Sequence, residues 1–451
     1  MEKLLFRKVE LWLVLLLGMF FCALAVIFGA AALDAERGNQ RLGVASRMAL
    51  TVANVPDTLN RWRKQKDAMA IMKPERFKDR RGGWSFAEGA GTLTGYLLLS
   101  RYDGFAARHV VELVSLKDGQ VRFTWRPDAD TLMADAPRDS RVSEFSKMNT
   151  RQYRMIHPLL LEDGNLIIKD HETYLTRIDA CGGKIWRQDA ILVHHSTEPD
   201  AGGGFWVPGL IEPQTLANVT EKFREDALVH VDMAGNILSV TSVPQIFMDH
   251  GMDWALFNAS NRNGDPVHLN DIEPVLKDGP YWQAGDLFLS MRHISMIMLY
   301  RPSTKEIVWM KQGPWLAQHD VDILDDHRIG IFDNHASDGG SGPVVVGANR
   351  VTVYDFASQQ ITGPWDAALL EQEVHTLSEG LFSVMPGGGV MVEEENSGRV
   401  LFLDAGGKLV ADYINQGADG IGYRLGWSRL VGQDIGDKVL AAVAATTCAA
   451  P

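Results

Sequence analysis

Past residue 80 the apolar positions of this chain alternate with polar ones or gather in short blocks, and turn residues punctuate them. One unit keeps returning: an apolar strand, a polar turn and a second apolar strand. Its six copies read VELVSLKDGQVRFTW, YLTRIDACGGKIW, LVHVDMAGNILSV, IMLYRPSTKEIVWM, VTVYDFASQQIT and LFLDAGGKLVADY. Between them runs a partner unit, a histidine or polar residue followed by an apolar strand and an Asp/Gly turn. It appears as HPLLLEDGNLII, HHSTEPDAGGGFWV, HLNDIEPVLKDG, QHDVDILDDHRIGIF and LFSVMPGGGVMVEE. Period-two apolar runs bounded by such turns predict strands. Their repetition predicts an all-β fold, a six-bladed β-propeller over residues 82–451, in which radial repetition leaves only short edges. A two-domain sandwich fits the repeat less well.

The N-terminal pattern is different. Leu11 to Leu33, LWLVLLLGMFFCALAVIFGAAAL, carries no charge and exceeds the roughly 20 residues that cross a bilayer. Lys3, Arg7 and Lys8 precede it, which predicts a cytoplasmic N-terminus and a signal anchor with the rest of the chain on the other side. Residues 1–33 are therefore read as cytoplasmic tip and transmembrane helix. Residues 34–81 have mixed helical spacing and read as a helical or irregular stalk, ending at Gly82, Gly83 and Trp84.

Composition adds limits. The 451 residues, 46% of them hydrophobic, can bury a large core. A net charge of -13 without any long Lys/Arg run argues against nucleic acid as a partner. Cys22 lies in the span. Cys181 and Cys448 could pair in an oxidising compartment, but two distant cysteines do not establish a bridge. Nothing in the sequence specifies an oligomeric state.

The histidines are in phase with the repeat. His157, His194 and His319 each stand six residues before the turn aspartate of their unit, Asp163, Asp200 and Asp325. His268 opens a fourth unit with a longer strand and turn. Innermost propeller strands line the central channel, so in-phase histidines are expected to converge there. Any one of them could equally be a structural hydrogen-bonder, since histidine is commonly satisfied in cores. His109, His171, His230, His250, His327 and His335 fall at turns or on other phases and read mostly as surface residues.

SMRHISMI followed by IVWM, QHDVDILDD with IGIFDN, HLNDIEP upstream, and HHSTEPDAGGGFWVP after GGKIW together resemble the bacterial periplasmic arylsulfotransferases. The resemblance covers roughly residues 155–405. It implies a six-bladed propeller on the periplasmic side of the cytoplasmic membrane. It also implies sulfuryl transfer from a phenolic sulfate ester to a phenolic acceptor through a transiently sulfated histidine, with no cofactor and no metal. By motif match, His268 and His319 are catalytic candidates, and Arg292, His293, Asn270 and His194 are candidates for binding substrate. The types suit the chemistry: arginine offers a fork of donors to an oxyanion, and histidine donates or attacks according to its protonation. With period two, His268 and Asn270 are expected on the same side of one strand.

The chain departs from the family pattern at two places. Where the sulfated histidine is expected, PGGGVMVEEENSGRVLF offers Glu393, Glu394 and Glu395, which would repel a sulfate ester. The arginine expected after FDN is also absent, and His375, slightly upstream of the glutamates, becomes a third catalytic candidate. The alternative function is a non-catalytic propeller binding a ligand or protein partner. A metal or quinone oxidoreductase has no CxxC or HExxH signature to support it.

Overall fold

The computed structural model describes residues 10–36, 41–53, 55–56, 74–77, 79–88, 93–138, 148–258, 264–339, 342–418 and 420–448. The chain divides into two units, Met1–Ala68 and Met69–Pro451.

In the first unit the uncharged stretch forms the helix Leu11–Glu36. Its 25-residue segment Leu11–Ala35 has a mean hydropathy of 2.8. At about 1.5 Å per residue it is longer than the ~30 Å hydrocarbon core of a bilayer. A second helix, Val44–Ala53, lies within the expected stalk, and its Ser46 hydroxyl donates to Asp34 Oδ2 at 3.0 Å. Much of the rest of that stalk lies outside the described residues.

The second unit is mainly β and propeller-like. Four sheets stand apart as blades of four or five strands. One joins Arg429–Val431 to Tyr96–Asp103, Arg108–Ser115 and Val121–Trp125. Two others run from Leu269–Pro274 to Glu306–Gln312 and from Val321–Ile323 to Ile361–Thr362. The fourth runs from Leu381–Val384 to Leu409–Ile414 and takes Gly83–Phe86 as its edge. Both ends of the unit thus add strands to sheets made by distant sequence, which ties the ring shut. Each of the six repeated strand–turn–strand units forms an antiparallel hairpin.

The expected count of six separate blades is corrected. Residues 159–242 form one continuous eight-stranded sheet. The ten-residue strand Lys184–Val193 reaches past its own hairpin and pairs Leu192 and Val193 with Leu210 and Gly209. Gly209 permits that approach, since a Cβ there would meet Val229 at 2.5 Å and the Leu192 carbonyl at 3.3 Å.

Inward-facing apolar residues of neighbouring sheets fill the spaces between them. Val111, Leu113 and Trp125, for example, pack with Leu166, Ile168 and Ile178. Buried carboxylates then latch one sheet to the next. Asp226 accepts the Leu269 N–H (2.8 Å), Asp271 that of Val321 (3.0 Å) and Asp320 that of Phe382 (3.0 Å). Glu393 accepts both Trp427 and Ser428 N–H groups (2.7 and 2.8 Å). Glu394 is spent on Arg76 and Arg399, and Glu395 on Arg154. The three glutamates that interrupt the family motif therefore bind the fold together.

Several helices escaped the strand pattern, among them Val243–Asp249, Asp253–Phe257 and Asp366–Glu371, and one is longer than the rest. The helix Gln433–Ala445 closes the chain, with Val439 and Val443 packed on the cluster around Trp125. A disulfide joins Cys181, in the Asp179–Gly183 turn, to Cys448 just beyond this helix.

Candidate functional site

Where the innermost strands begin, the backbone repeatedly turns left-handed at residues that carry side chains. His157, His195, His268, Glu379 and Trp427 all have φ between 47° and 60°. Such values are uncommon outside glycine and need surrounding structure to hold them. At His195 the buried Lys169 Nζ supplies that hold, donating to the carbonyls of His195 and Ile156. At Glu379 the next residue, Gly380, is also left-handed (φ 86°), and a Cβ there would lie 2.7 Å from Phe332.

These turns surround a cavity of about 280 Å³ lined by His171, His194, His195, His268 and His319, by Arg224, Arg292 and Arg424, and by Glu172, Ser378 and Glu379. The ring of His195 stands 4.4 Å from that of His171, 5.2 Å from His268 and 6.1 Å from His319, centroid to centroid. Both carboxylates of the lining are paired, Glu172 with Arg224 and Glu379 with Arg154. Arg292 and Arg424 add positive charge, and the Arg424 Nε is buried without a hydrogen-bond partner. Such a site favours an anion.

The hydrogen bonds assign most ring nitrogens. His319 directs Nδ1 at Asn334 Oδ1 (2.6 Å), which can only accept there, and its Nε2 receives the Glu379 N–H (2.8 Å). Burial first, and Arg292 next, hold its pKa well below the ordinary value, so the ring is neutral. His171 points Nε2 at Glu379 Oε1 (2.7 Å) and Nδ1 at the His195 N–H (3.4 Å). His194 and His195 face each other through their Nδ1 atoms (2.8 Å), while His194 Nε2 stands 3.4 Å from Asp226. Burial lowers both pKa values, and His195 falls further because His171, His194, His268 and His319 surround it. His268 directs Nδ1 at Asp265 Oδ2 (2.6 Å).

Burial alone would raise the Glu379 pKa, but Arg154, Glu395 and His171 hold it well below the usual carboxylate range. Burial and Glu379 in turn push Glu395 well above it. A separate group of carboxylates on the inner strands behaves like Glu395. Burial and Glu198 push Asp271 up to about 7, and burial with neighbouring carboxylates raises Glu273, Asp320 and Asp322 well above the ordinary value.

Of the motif-derived residues, His268, His319, His194 and Arg292 meet in this cavity. Asn270 does not. The register shifts between Leu269 and Asp271, and Asn270 is the bulged residue between them. With His268 left-handed as well, period two fails, and the Asn270 amide turns into the wall to donate to the Gln318 carbonyl (2.9 Å). His293 stacks behind His268 at 4.3 Å, outside the lining. Its Nδ1 donates to the Asp265 carbonyl (2.6 Å) and its Nε2 accepts from Arg292 (3.1 Å). Burial first, and then the neighbouring His268, lower its pKa to about 3. His375 is also outside, its Nε2 given to the Gly347 carbonyl.

His171, expected at the surface, is instead a wall of the cavity, and His109 is buried. His157, in phase by sequence, lies outside the lining, 3.2 Å from Glu198. Sequence reasoning missed His195, Arg224, Glu379 and Asp265. The HH doublet at 194–195 was the available signal for the first. Ligand atoms of Asp265, His268 and His293 lie within 4.8 Å of one another, close enough for a metal ion. However, Arg224 Nε stands 3.7 Å from that carboxylate and Arg292 bonds His293, which disfavours a cation.

The family model described as Arylsulfotransferase (ASST) matches residues 157–416, the stretch that builds most of this cavity. No curated protein matches the chain at a significant level. Solved structures with a similar chain path include a Bacteroides caccae protein of unknown function. It is 10% identical, covers 71% of this chain and 94% of its own, and has a TM-score of 0.44. A nidogen/laminin complex is 11% identical, with 75% and 98% covered and a TM-score of 0.42. A catalytically inactive virginiamycin B lyase from Staphylococcus aureus with quinupristin is 11% identical, with 74% and 88% covered and a TM-score of 0.37.

Proposed function

The chain belongs to the arylsulfotransferase family, and from that premise we propose that it transfers a sulfuryl group from a phenolic sulfate ester to a phenolic acceptor in the histidine-lined cavity. The observation that carries this reading is the meeting of Arg224, Arg292 and Arg424 with five histidines in one cavity whose own carboxylates are already paired. A sulfuryl group in flight spreads negative charge over its oxygens, by analogy with phosphoryl transfer, and preorganised donors stabilise that charge. Neutral histidines supply nucleophilic and donor nitrogens beside it.

The same reading includes a membrane anchor at Leu11–Glu36, with the second unit on the periplasmic side. It also takes the eight-stranded sheet as two blades bridged by Leu192 and Val193, which makes the ring sixfold, as the repeats imply. The full chain in detergent, given 4-nitrophenyl sulfate, should release nitrophenol, and faster with an acceptor phenol present. A second reading, a non-catalytic propeller that binds an anionic ligand, draws support from the same arginines, which can hold an anion without any turnover. Binding of aryl sulfates without release from any of them would favour that second reading.

A further inference from the structure

Transfer through a covalent intermediate needs a ring nitrogen that carries a lone pair, faces the cavity and is not already bonded. Most histidines here fail that requirement. His319 and His171 have both nitrogens engaged, and so does His293, which is outside the lining. His375 lies outside it as well and hands its Nε2 to a carbonyl. His194 places Nδ1 on its neighbour and Nε2 beside Asp226.

Two remain, and their settings differ. His195 is buried among four other histidines, which depress its basicity. Its Nδ1 contact is another imidazole. His268 instead gives Nδ1 to a carboxylate, Asp265 Oδ2, at 2.6 Å, and its side chain keeps 24% of its surface exposed. An acceptor at Nδ1 fixes the proton there and leaves Nε2 as the lone pair. A carboxylate in that role also orients the ring and stabilises the cation that forms on attack. Asp265 is itself fixed: its carbonyl accepts from His293, and its carboxylate lies 3.7 Å from Arg224.

We infer that His268 Nε2 is the nucleophile that takes the sulfuryl group, and that Asp265 is its positioning residue. The inference rests on the sulfuryl-transfer reading. In the first half-reaction the His268 lone pair forms an N–S bond as the S–O bond to the aryl group breaks. The bonding pair leaves on the phenolate, which takes a proton from solvent. The ring then carries SO₃⁻ on Nε2 and its original proton on Nδ1, opposite Asp265. In the second half the acceptor oxygen forms the new O–S bond and gives its proton to solvent, while the N–S pair returns to Nε2. No redox partner or metal enters. Arg292 and Arg424, in the same lining, hold the sulfuryl oxygens throughout.

The test uses the full chain with 4-nitrophenyl sulfate and no acceptor, quenched in base and mapped by peptide mass spectrometry. One SO₃ group is expected on the peptide containing His268. Asp265→Asn should slow the nitrophenol burst by about 10²-fold or more with little change in KM, the size expected when a positioned proton partner is lost. His268→Gly should lose the burst and regain ester cleavage when free imidazole is added, a rescue that a purely structural histidine would not show. If the glycine variant does not fold, His268→Gln keeps the bulk and should lose the burst equally. The modification appearing on His195 would overturn the inference and leave the transfer reading intact. So would a folded, ester-binding His268→Gly that imidazole does not rescue. No nitrophenol release from the wild type would overturn both.

Discussion

Arg154→Met should be among the costliest single changes near the cavity. The Arg154 guanidinium lies within the ring and bridges two carboxylates from the last sheet, Glu395 Oε1 at 2.7 Å and Glu379 Oε1 at 2.9 Å. Its backbone N–H also rests on Asp170 Oδ2 (3.0 Å). Methionine fills similar space without charge, so the loss is electrostatic. Removing one partner of a buried pair typically costs about 3–5 kcal/mol. A Coulomb figure agrees: charges about 4 Å apart at an effective dielectric near 20 attract by about 4 kcal/mol. For a unit of roughly 380 residues, at ~2.1 cal/mol/K per residue, that converts to a Tm fall of about 5 °C.

The pH dependence has a definite sign. Glu379 is depressed in the folded state, so its contribution is present above the unfolded glutamate pKa, about 4.3, and is lost as pH falls through the folded value. The deficit of Arg154→Met should therefore be full at pH 7 and smaller at about pH 3, below the unfolded pKa. Denaturant unfolding of the full chain, followed by tryptophan fluorescence at both pH values, measures it. Adding Glu379→Gln to Arg154→Met should restore about 1 kcal/mol or more, because the stranded charge is gone; strictly additive losses would show that the two groups are not coupled. A deficit under about 1 kcal/mol at pH 7, or one equal at both pH values, would refute the reasoning.

Asp271→Asn retains an oxygen for the Val321 N–H but cannot ionise. Because Asp271 is raised to about 7, it should make wild-type stability fall as pH rises from about 4 through 7, by on the order of a few kcal/mol, and the variant should show a shallower slope, keeping only the share of Glu273, Asp320 and Asp322; identical slopes in denaturation would count against it. Cys181→Ser should cost about 2–5 kcal/mol, seen first as faster amide exchange in Gln433–Ala445, the helix that the bridge secures; unchanged exchange there would mean that packing of Val439 and Val443 suffices. His375→Ala should leave nitrophenol release unchanged, since the ring lies outside the cavity and bonds a carbonyl; loss of turnover with the fold intact would return His375 to the mechanism.

Period-two runs and turn residues located the six hairpins well, because a hairpin is a local object. Its two strands and its turn lie within about 15 residues, and each declares itself in composition. What joins hairpins into sheets is not local. Leu192 and Val193 pair with a strand beyond the next loop only because Gly209 lets them near, and a glycine inside an apolar run has several other readings. The closing helix was hidden for a different reason. QDIGDKVLAAVAA shows only a modest apolar stripe, and its place is set by Val439, Val443 and the cystine, all of them distant contacts.

The site was legible as residue types and illegible as roles. His194, His268 and His319, in repeat phase or opening a unit, line one cavity, but His157, in the same phase, lies outside it. Repeat phase could not say which ring nitrogen each would keep. That depends on partners as remote as Asn334 for His319 and Glu379 for His171. It depends too on left-handed backbone at His195 and His268, which reverses the alternation used to pair His268 with Asn270. Asp265 is the plainest case. Three residues before His268, as the last residue of NRNGD, it reads in sequence as an ordinary turn aspartate. Only the fold makes it the one carboxylate that holds a cavity histidine by Nδ1 at hydrogen-bond distance while leaving Nε2 open. A missing motif histidine therefore does not by itself argue against turnover here. The requirement of the chemistry is an oriented lone pair beside anion-binding arginines, and the inference above assigns it to His268 instead of to the late strand where the family pattern puts its sulfated histidine.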